Sequence, residues 1–486
     1  MRRWVTPGVL VLLTIFVAFH FVEEWRDSIW QKPYNKASAA YQQGHYAEAE
    51  RILLTALPDI ETRWPNAGPV DYQMYLLGRV YAAEAKGLAA ERALQKSIEI
   101  REKVLPPDSY ELAESYLALG AFHRDEGLYA KAEQELKKAL STFQRMPQVA
   151  RSDLGTALDY LGLVYTRQGR YSEAGPLLEQ AVANYQHYLG PTHLYVASSL
   201  NHLGYLYYRA NDPNRAEELY RRALEVEDAT PDGDQIPRAD SLDGLGLVYR
   251  KRGEYEKAEL YAQRGFAIYR NSLEPSHPFL ITSLYNLALL YDDEGKLGQA
   301  ESIYVQILTE AEQSKGSEDP AVASALENLG KFYRDNHKYG QAEPCLKRAL
   351  EIRRNDFGSS SPAVAETASE LALLYVYEGK NGQAERVVRE ALPILEKTYG
   401  PDSLDVSTAL NRLGLAVRDP REASTFLERA LAIREKLLPP EHPWIAISLE
   451  NLAAAYQEQG QASEAATLSR RAREIRAKSS QIRQNK

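Results

Sequence analysis

Nine histidines and one cysteine are the side chains of this 486-residue chain best suited to metal or nucleophilic chemistry. Cys345 has no second cysteine to pair with, and in AEPCLKRAL it reads as a small packing residue. His187, His193 and His202 are close in sequence, but a turn separates them and no cysteine or carboxylate completes a metal-ligand spacing. His193, His277 and His442 recur at one position in turns, where a residue serves a helix start more simply than catalysis. No phosphate-binding glycine loop, nucleophile elbow or HExxH motif is present. What remains is recognition. Arg124, Arg250, Arg334 and Arg418 stand at equivalent spacing, with Lys331 nearby. Tyr205, Tyr208 and Tyr285 and the asparagines Asn201, Asn328 and Asn411 stand beside them. Guanidinium groups bind carboxylates at two points, and tyrosine joins an apolar body to a polar tip. Such a row suits an extended peptide carrying acidic groups or a terminal carboxylate. Read singly, each arginine equally fits a solvated charge on a long helix.

The spacing that makes these residues a row comes from a repeat. Leu77, Leu119, Leu161, Leu203, Leu245, Leu287, Leu329, Leu371 and Leu413 follow one another at 42 residues, and Leu452 follows after 39. Each is followed by Gly or Ala. Tyr stands four positions on in most units, with His123 and Val417 as exceptions. Alanine stands thirteen positions on in every unit from Ala90 to Ala465 except the ninth, where the three residues lost within VRDPREA bring Ala423 closer. A partial unit precedes these, with Ala49 in YQQGHYAEAERILLTAL. Recurrence at this period is the signature of a solenoid.

The unit reads as two helices. The leucine, the small residue after it and the tyrosine fall on one helical face and form a core stripe. The small residue admits a second helix at close range. Gly127, Gly169, Gly253, Gly295, Gly379 and Gly460, with Asn211 in one gap, tolerate the left-handed backbone that ends the first helix. The second helix carries the alanine and usually another seven residues later. Pro278, Pro320, Pro362 and Pro443 share the position expected in the first turn of the next unit. One such pair cannot bury both faces, whereas a stack can. On the face opposite the stripe, where a merely solvated helix would be polar, stand Leu163, Tyr205, Leu247, Leu289, Leu373 and Leu415. These leucines fit either packing between adjacent first helices or a ligand groove.

This pattern resembles the tetratricopeptide repeat. The 42-residue period and phrases such as LGPTHLYVASSLNHLGYLY and LPPEHPWIAISLENLAAAY are similar to the kinesin light chain subtype. The resemblance covers about residues 70–479 and implies an all-α, right-handed superhelical solenoid of antiparallel helix pairs. In that family, asparagines just before the leucine line the concave groove and hold a peptide backbone. The matching positions here hold Asn201 and Asn411, or Asn286, Asn328 and Asn451, but never the full pair. The heptad region of that family is absent, so attachment to a motor is not carried over.

Composition is that of a globular chain, 44% apolar and 26% charged. Net charge is −9, although Arg470 to Lys486 holds seven basic residues and one acid, so the repeats are more acidic than the whole. That balance argues against phosphate-driven nucleic-acid binding. The first residues, MRRWVTPGVLVLLTIFVAFHFVEEW, run uncharged from Val5 to Val22. Eighteen helical residues span about 27 Å, enough for a bilayer core. The run exceeds a usual signal-peptide apolar region and lacks a clean cleavage site, so it reads as an uncleaved anchor. A cleaved signal or a buried helix is the alternative. Arginines before it and acids after it place the N-terminus in the cytoplasm and the repeats outside, in the periplasm if the cell is bacterial.

The expected organisation is a cytoplasmic stub and transmembrane helix over 1–30, a partial repeat over 31–68, ten repeats over 69–479 and a basic tail over 480–486. The expected function is a membrane-anchored scaffold that recruits a protein or extended peptide. The expected groove is Asn201, Tyr205, Tyr208, Arg250, Tyr285, Asn328, Lys331, Arg334 and Asn411. No cofactor, catalytic residue or small-molecule substrate is expected. A soluble adaptor, or an assembly subunit stacking through its end repeats, is the alternative.

Overall fold

The computed structural model describes residues 29–484 except 66–67, 85, 147, 150, 231–234 and 274–276, and of 479–484 the backbone alone. It contains 22 α-helices and, among the described residues, no strand. They alternate as first and second helices of successive pairs. The chain divides into two compact units, residues 1–160 and 161–486. No helix among the described residues is long and apolar enough to cross a membrane. The apolar run from Val5 to Val22, expected to be the anchor, lies outside the described residues.

In the first unit α1 (Gln31–Gln42) pairs with α2 (Tyr46–Arg63), α3 (Gly68–Ala83) with α4 (Gly87–Val104), and α5 (Tyr110–Asp125) with α6 (Tyr129–Arg145). Helix α7 (Arg151–Arg167) crosses the division. The second unit continues with α8 (Tyr171–Leu189), α9 (Leu194–Arg209), α10 (Pro213–Asp228), α11 (Ile236–Arg252), α12 (Tyr255–Ser272), α13 (Pro278–Asp293) and α14 (Leu297–Lys315). It ends with α15 (Pro320–Asp335), α16 (Tyr339–Phe357), α17 (Pro362–Tyr377), α18 (Asn381–Tyr399), α19 (Leu404–Ala416), α20 (Pro420–Leu437), α21 (Pro443–Glu458) and α22 (Ala462–Gln484).

Local chemistry places these boundaries. The Nδ1 atoms of His193, His277 and His442 accept from the backbone N–H two residues on, capping α9, α13 and α21. Pro278, Pro320, Pro362 and Pro443 open their helices. The turn glycines named above have positive φ, as does Asn211 at 68°. The small residue after each leucine is a contact point: a Cβ at Gly330 would lie 2.8 Å from Cγ of Leu346, and one at Gly120 would lie 2.7 Å from Cγ of Leu136.

Between repeats the packing is polar as well as apolar. The stripe tyrosines are buried, yet their hydroxyls reach the preceding second helix: Tyr249 donates to Glu217 at 2.6 Å, Tyr291 to Glu259 at 2.7 Å and Tyr333 to Glu301 at 2.9 Å. The glutamate is the residue after the recurring alanine, a pattern most units display, with Gly175, Ser424 and Ala466 as exceptions. His123, the exception to the tyrosine pattern, does the same work in the first unit, with Glu135 at 2.6 Å and Glu91 at 3.1 Å from its two ring nitrogens. A second device is a buried arginine late in the second helix. Arg101 is fully buried against Asp71 at 2.5 Å and Ser115 at 2.9 Å. Arg434 sits on Ser448 at 2.8 Å and the Trp444 carbonyl at 3.0 Å, and burial lowers its pKa to about 10.

First helices of successive repeats touch: α9 meets α11, α11 meets α13, α15 meets α17, α17 meets α19 and α19 meets α21. Successive second helices make no comparable contact among the described residues. The first helices therefore form the inner, concave side of the second unit, which is where the row of candidate residues lies.

Candidate functional site

The first helices carry three kinds of residue inward in the second unit: half-buried tyrosines, paired cations and carboxylates. They converge at α13, α15, α17 and α19, around a cavity of about 270 Å³. Leu289, Tyr304 and Phe332 give it an apolar wall, while Asn328, Lys331, Arg334, Glu370 and Arg412 supply polar groups. Leu289 is exposed, and Asp292 and Asp335 border the opening.

Glu370 is the electrostatic centre. Its carboxylate takes Arg334 at 2.6 Å and Arg412 at 2.7 Å, with the Lys331 ammonium at 3.8 Å. Burial alone would raise its pKa; Arg412, Lys331 and Arg334 outweigh burial and hold it at about 2. Lys331 also contacts Glu327 at 2.5 Å, and Arg353 reaches Glu327 at 2.5 Å from the second helix of the same repeat. Arg250, two repeats earlier, lies 3.5 Å from Asp293 through Nε, while its buried Nη1 has no partner. The cations of the row are thus already matched by internal carboxylates. The site is a dense mixture of both signs beside an apolar wall, not the open line of arginines the repeat spacing suggests.

The expected residues separate into three groups. Asn328, Lys331 and Arg334 line the cavity. Tyr285 adjoins it, 6.0 Å ring to ring from Tyr304; Arg250 adjoins it through Asp293. Tyr205 and Tyr208 lie further along the concave face on α9. The Tyr205 hydroxyl accepts from Arg209 at 2.7 Å, and Lys251 stands 4.7 Å from the centre of the Tyr208 ring. Asn201 and Asn411 are buried structural bridges. Nδ2 of Asn201 donates to the Pro237 carbonyl at 2.9 Å, and its Oδ1 accepts from Ser241 at 2.7 Å. Oδ1 of Asn411 accepts from Asn451 at 3.0 Å.

Sequence reasoning missed Glu370, Arg412, Tyr304 and Phe332. The first two occupy the position just before the repeat leucine, where Asn286, Asn328 and Asn451 also stand. A polar residue there in unit after unit was the available signal. Tyr304 and Phe332 were hidden within the general apolar periodicity.

Two further carboxylates lie within the wall. Glu227 accepts from Ser241 at 3.0 Å and leaves Oε2 buried without a partner. Asp243 accepts from Ser283 at 3.1 Å and from Asn286 at 3.4 Å. Burial raises each to about 7. A larger hollow, about 680 Å³, lies at the α11–α12 turn beside Glu254, Glu256 and Lys257 and includes no residue of the row. Among the described residues no group of His, Cys, Asp and Glu is arranged to hold a metal. The half-buried Cys345 thiol is raised by burial, away from the thiolate form.

Stacked helix pairs with a concave polar face define a solenoid protein of the binding class. The tetratricopeptide repeat profile matches residues 72–145, 153–228, 232–313, 321–397, 379–436 and 415–478, most of the sequence. The chain belongs to the tetratricopeptide repeat family, and its repeats are kinesin light chain-like. Solved structures similar to it include Podosopora anserina kinesin light chain nearly identical TPR-like repeats, at 28% identity over 42% of this chain and 98% of that one, with a TM-score of 0.35. The apo quorum sensor NprR from B. thuringiensis is 16% identical over 73% of this chain and 97% of that one, at 0.47. Rap protein complexed with Competence and Sporulation Factor is 15% identical over 85% and 99%, also at 0.47. No match was found among curated proteins.

Proposed function

We propose that this solenoid scaffold binds an extended peptide segment of a partner protein along its concave first-helix row, anchored at the cavity between α13 and α19. The observation that carries this reading is the cavity itself. An exposed leucine and two aromatic rings stand within one small space beside Lys331, Asn328 and the Glu370-centred cluster. A peptide placing an apolar side chain on the exposed Leu289 and a carboxylate near Lys331 and the unpartnered Nη1 of Arg250 meets complementary groups at both points. No catalytic step is part of the proposal. The uncharged run from Val5 to Val22 supports a membrane anchor, with the repeats outside the cytoplasm.

The test is a pull-down from membranes with the detergent-solubilised full chain. The parent should enrich a partner that a Tyr208→Ala/Lys331→Ala variant, equally helical by circular dichroism, does not. Equal enrichment by both proteins contradicts the proposed surface.

A further inference from the structure

The second unit contains contacts that nearest-neighbour stacking does not explain. Leu404, the first residue of α19, is buried against Gly169, the turn residue after α7, so closely that a Cβ at Gly169 would overlap it. His442, the cap of α21, reaches the backbone of Arg209 at the end of α9. Lys251 of α11 faces the same imidazole, and α11 packs against α22. Gly169 and Leu404 are 235 residues apart and Arg209 and His442 are 233, more than five 42-residue repeats in each case. Each contact joins the turn inside an early repeat, or the helix end beside it, to the start of a late first helix. Opposite edges of the solenoid have met after one circuit.

The first helices face inward, so the row lies on the inside of a wall that is continuous around the circuit. Along the stack, helices pack face to face. At the seam, a leucine meets a glycine and an imidazole meets a backbone group, with Arg209, Lys251 and Arg434 all disfavouring positive charge on His442.

We propose that the concave row is the lining of a closed ring. It admits one extended polypeptide segment and excludes a folded domain, and the seam at Gly169–Leu404 and Arg209–His442 is where the ring parts to take a segment lacking a free end. This rests on the reading of the row as a peptide surface.

The experiment uses the full chain in detergent, with Cys345→Ser and the pair Gly169→Cys/Leu404→Cys. Disulfide formation requires Cβ atoms about 3.5–4.5 Å apart, which the seam contact permits. Arg209→Cys/His442→Cys is the second pair, should the first disturb folding by circular dichroism. One probe is a labelled decapeptide of alternating glutamate and leucine. The other is the same decapeptide held between two small folded domains. We expect mild oxidation to lock the ring. The locked ring should keep the free peptide's affinity within about twofold and slow association of the flanked peptide at least about tenfold, and reduction should restore it. Failure of both pairs to form the disulfide overturns the ring. So does a locked ring that takes both probes equally fast. If neither probe binds the reduced protein while the disulfide still forms, the peptide reading has failed and the inference falls with it.

Discussion

Asp243 and Glu227 are carboxylates whose protons are held by burial. A carboxyl with a folded pKa above its unfolded value binds its proton more tightly when folded. Its cost to stability is therefore absent below about pH 4 and complete above about pH 7. With Asp243 raised to about 7, the parent loses this contribution as pH rises through that window. His442 runs the other way: burial, then Lys251, lowers it to about 4, so its cost appears as the solution is acidified below its ordinary value. Comparison with Asp243→Asn isolates the carboxylate. Relative to the parent, the variant should gain roughly 2–5 °C of melting temperature between pH 5 and pH 8. A constant offset across that range would show that Asp243 does not titrate there. Such residues mark where the sequence was silent. Asp243 and Asn201 occupy the same repeat position, and only the neighbouring helices determine that one is a buried acid held by Ser283 and the other an amide bridging Pro237 and Ser241.

The helix pairs were the most legible part of the chain, because each boundary is written in residues that act locally. Capping histidines, opening prolines and turn glycines need no tertiary context. The close approach of the two helices was also readable from the small residue after the leucine, and it yields a signed prediction. At Gly330 a new methyl group meets Leu346 at 2.8 Å, whereas at Gly340, on the next helix, nothing lies within 4 Å. Gly330→Ala should destabilise by about 1–3 kcal/mol, the range of an overpacked core. Gly340→Ala should be neutral or stabilising by up to roughly 1 kcal/mol through helix propensity. For scale, Leu203→Ala should cost about 2–5 kcal/mol by opening a cavity. Denaturant melts of the three variants check the order, and a destabilised Gly340→Ala with an unaffected Gly330→Ala would reverse it. What the period did not reveal was how far inward charges are matched. Arginines at one phase predict a basic stripe, but Glu370 and Asp293 come from neighbouring repeats, and their pairing depends on the curvature between helices.

At the scale of the whole molecule, the account joins a proposed anchor to a concave binding surface. The anchor rests on sequence alone. A reporter active only outside the cytoplasm, fused after Lys486, should be active, and the protein should sediment with membranes; an inactive reporter in a stably expressed fusion would reverse the topology. The binding surface is the central claim, and fluorescence anisotropy of the labelled glutamate–leucine decapeptide tests it most directly. The full chain should bind this peptide. A Tyr208→Ala/Lys331→Ala variant of unchanged helicity should bind at least about tenfold more weakly, a loss of roughly 1–3 kcal/mol concentrated in anchor residues. A lysine–leucine peptide of the same length should bind neither protein. Equal affinity of parent and variant for the acidic peptide, or equal binding of both peptides by the parent, would contradict the concave row as the site of recognition.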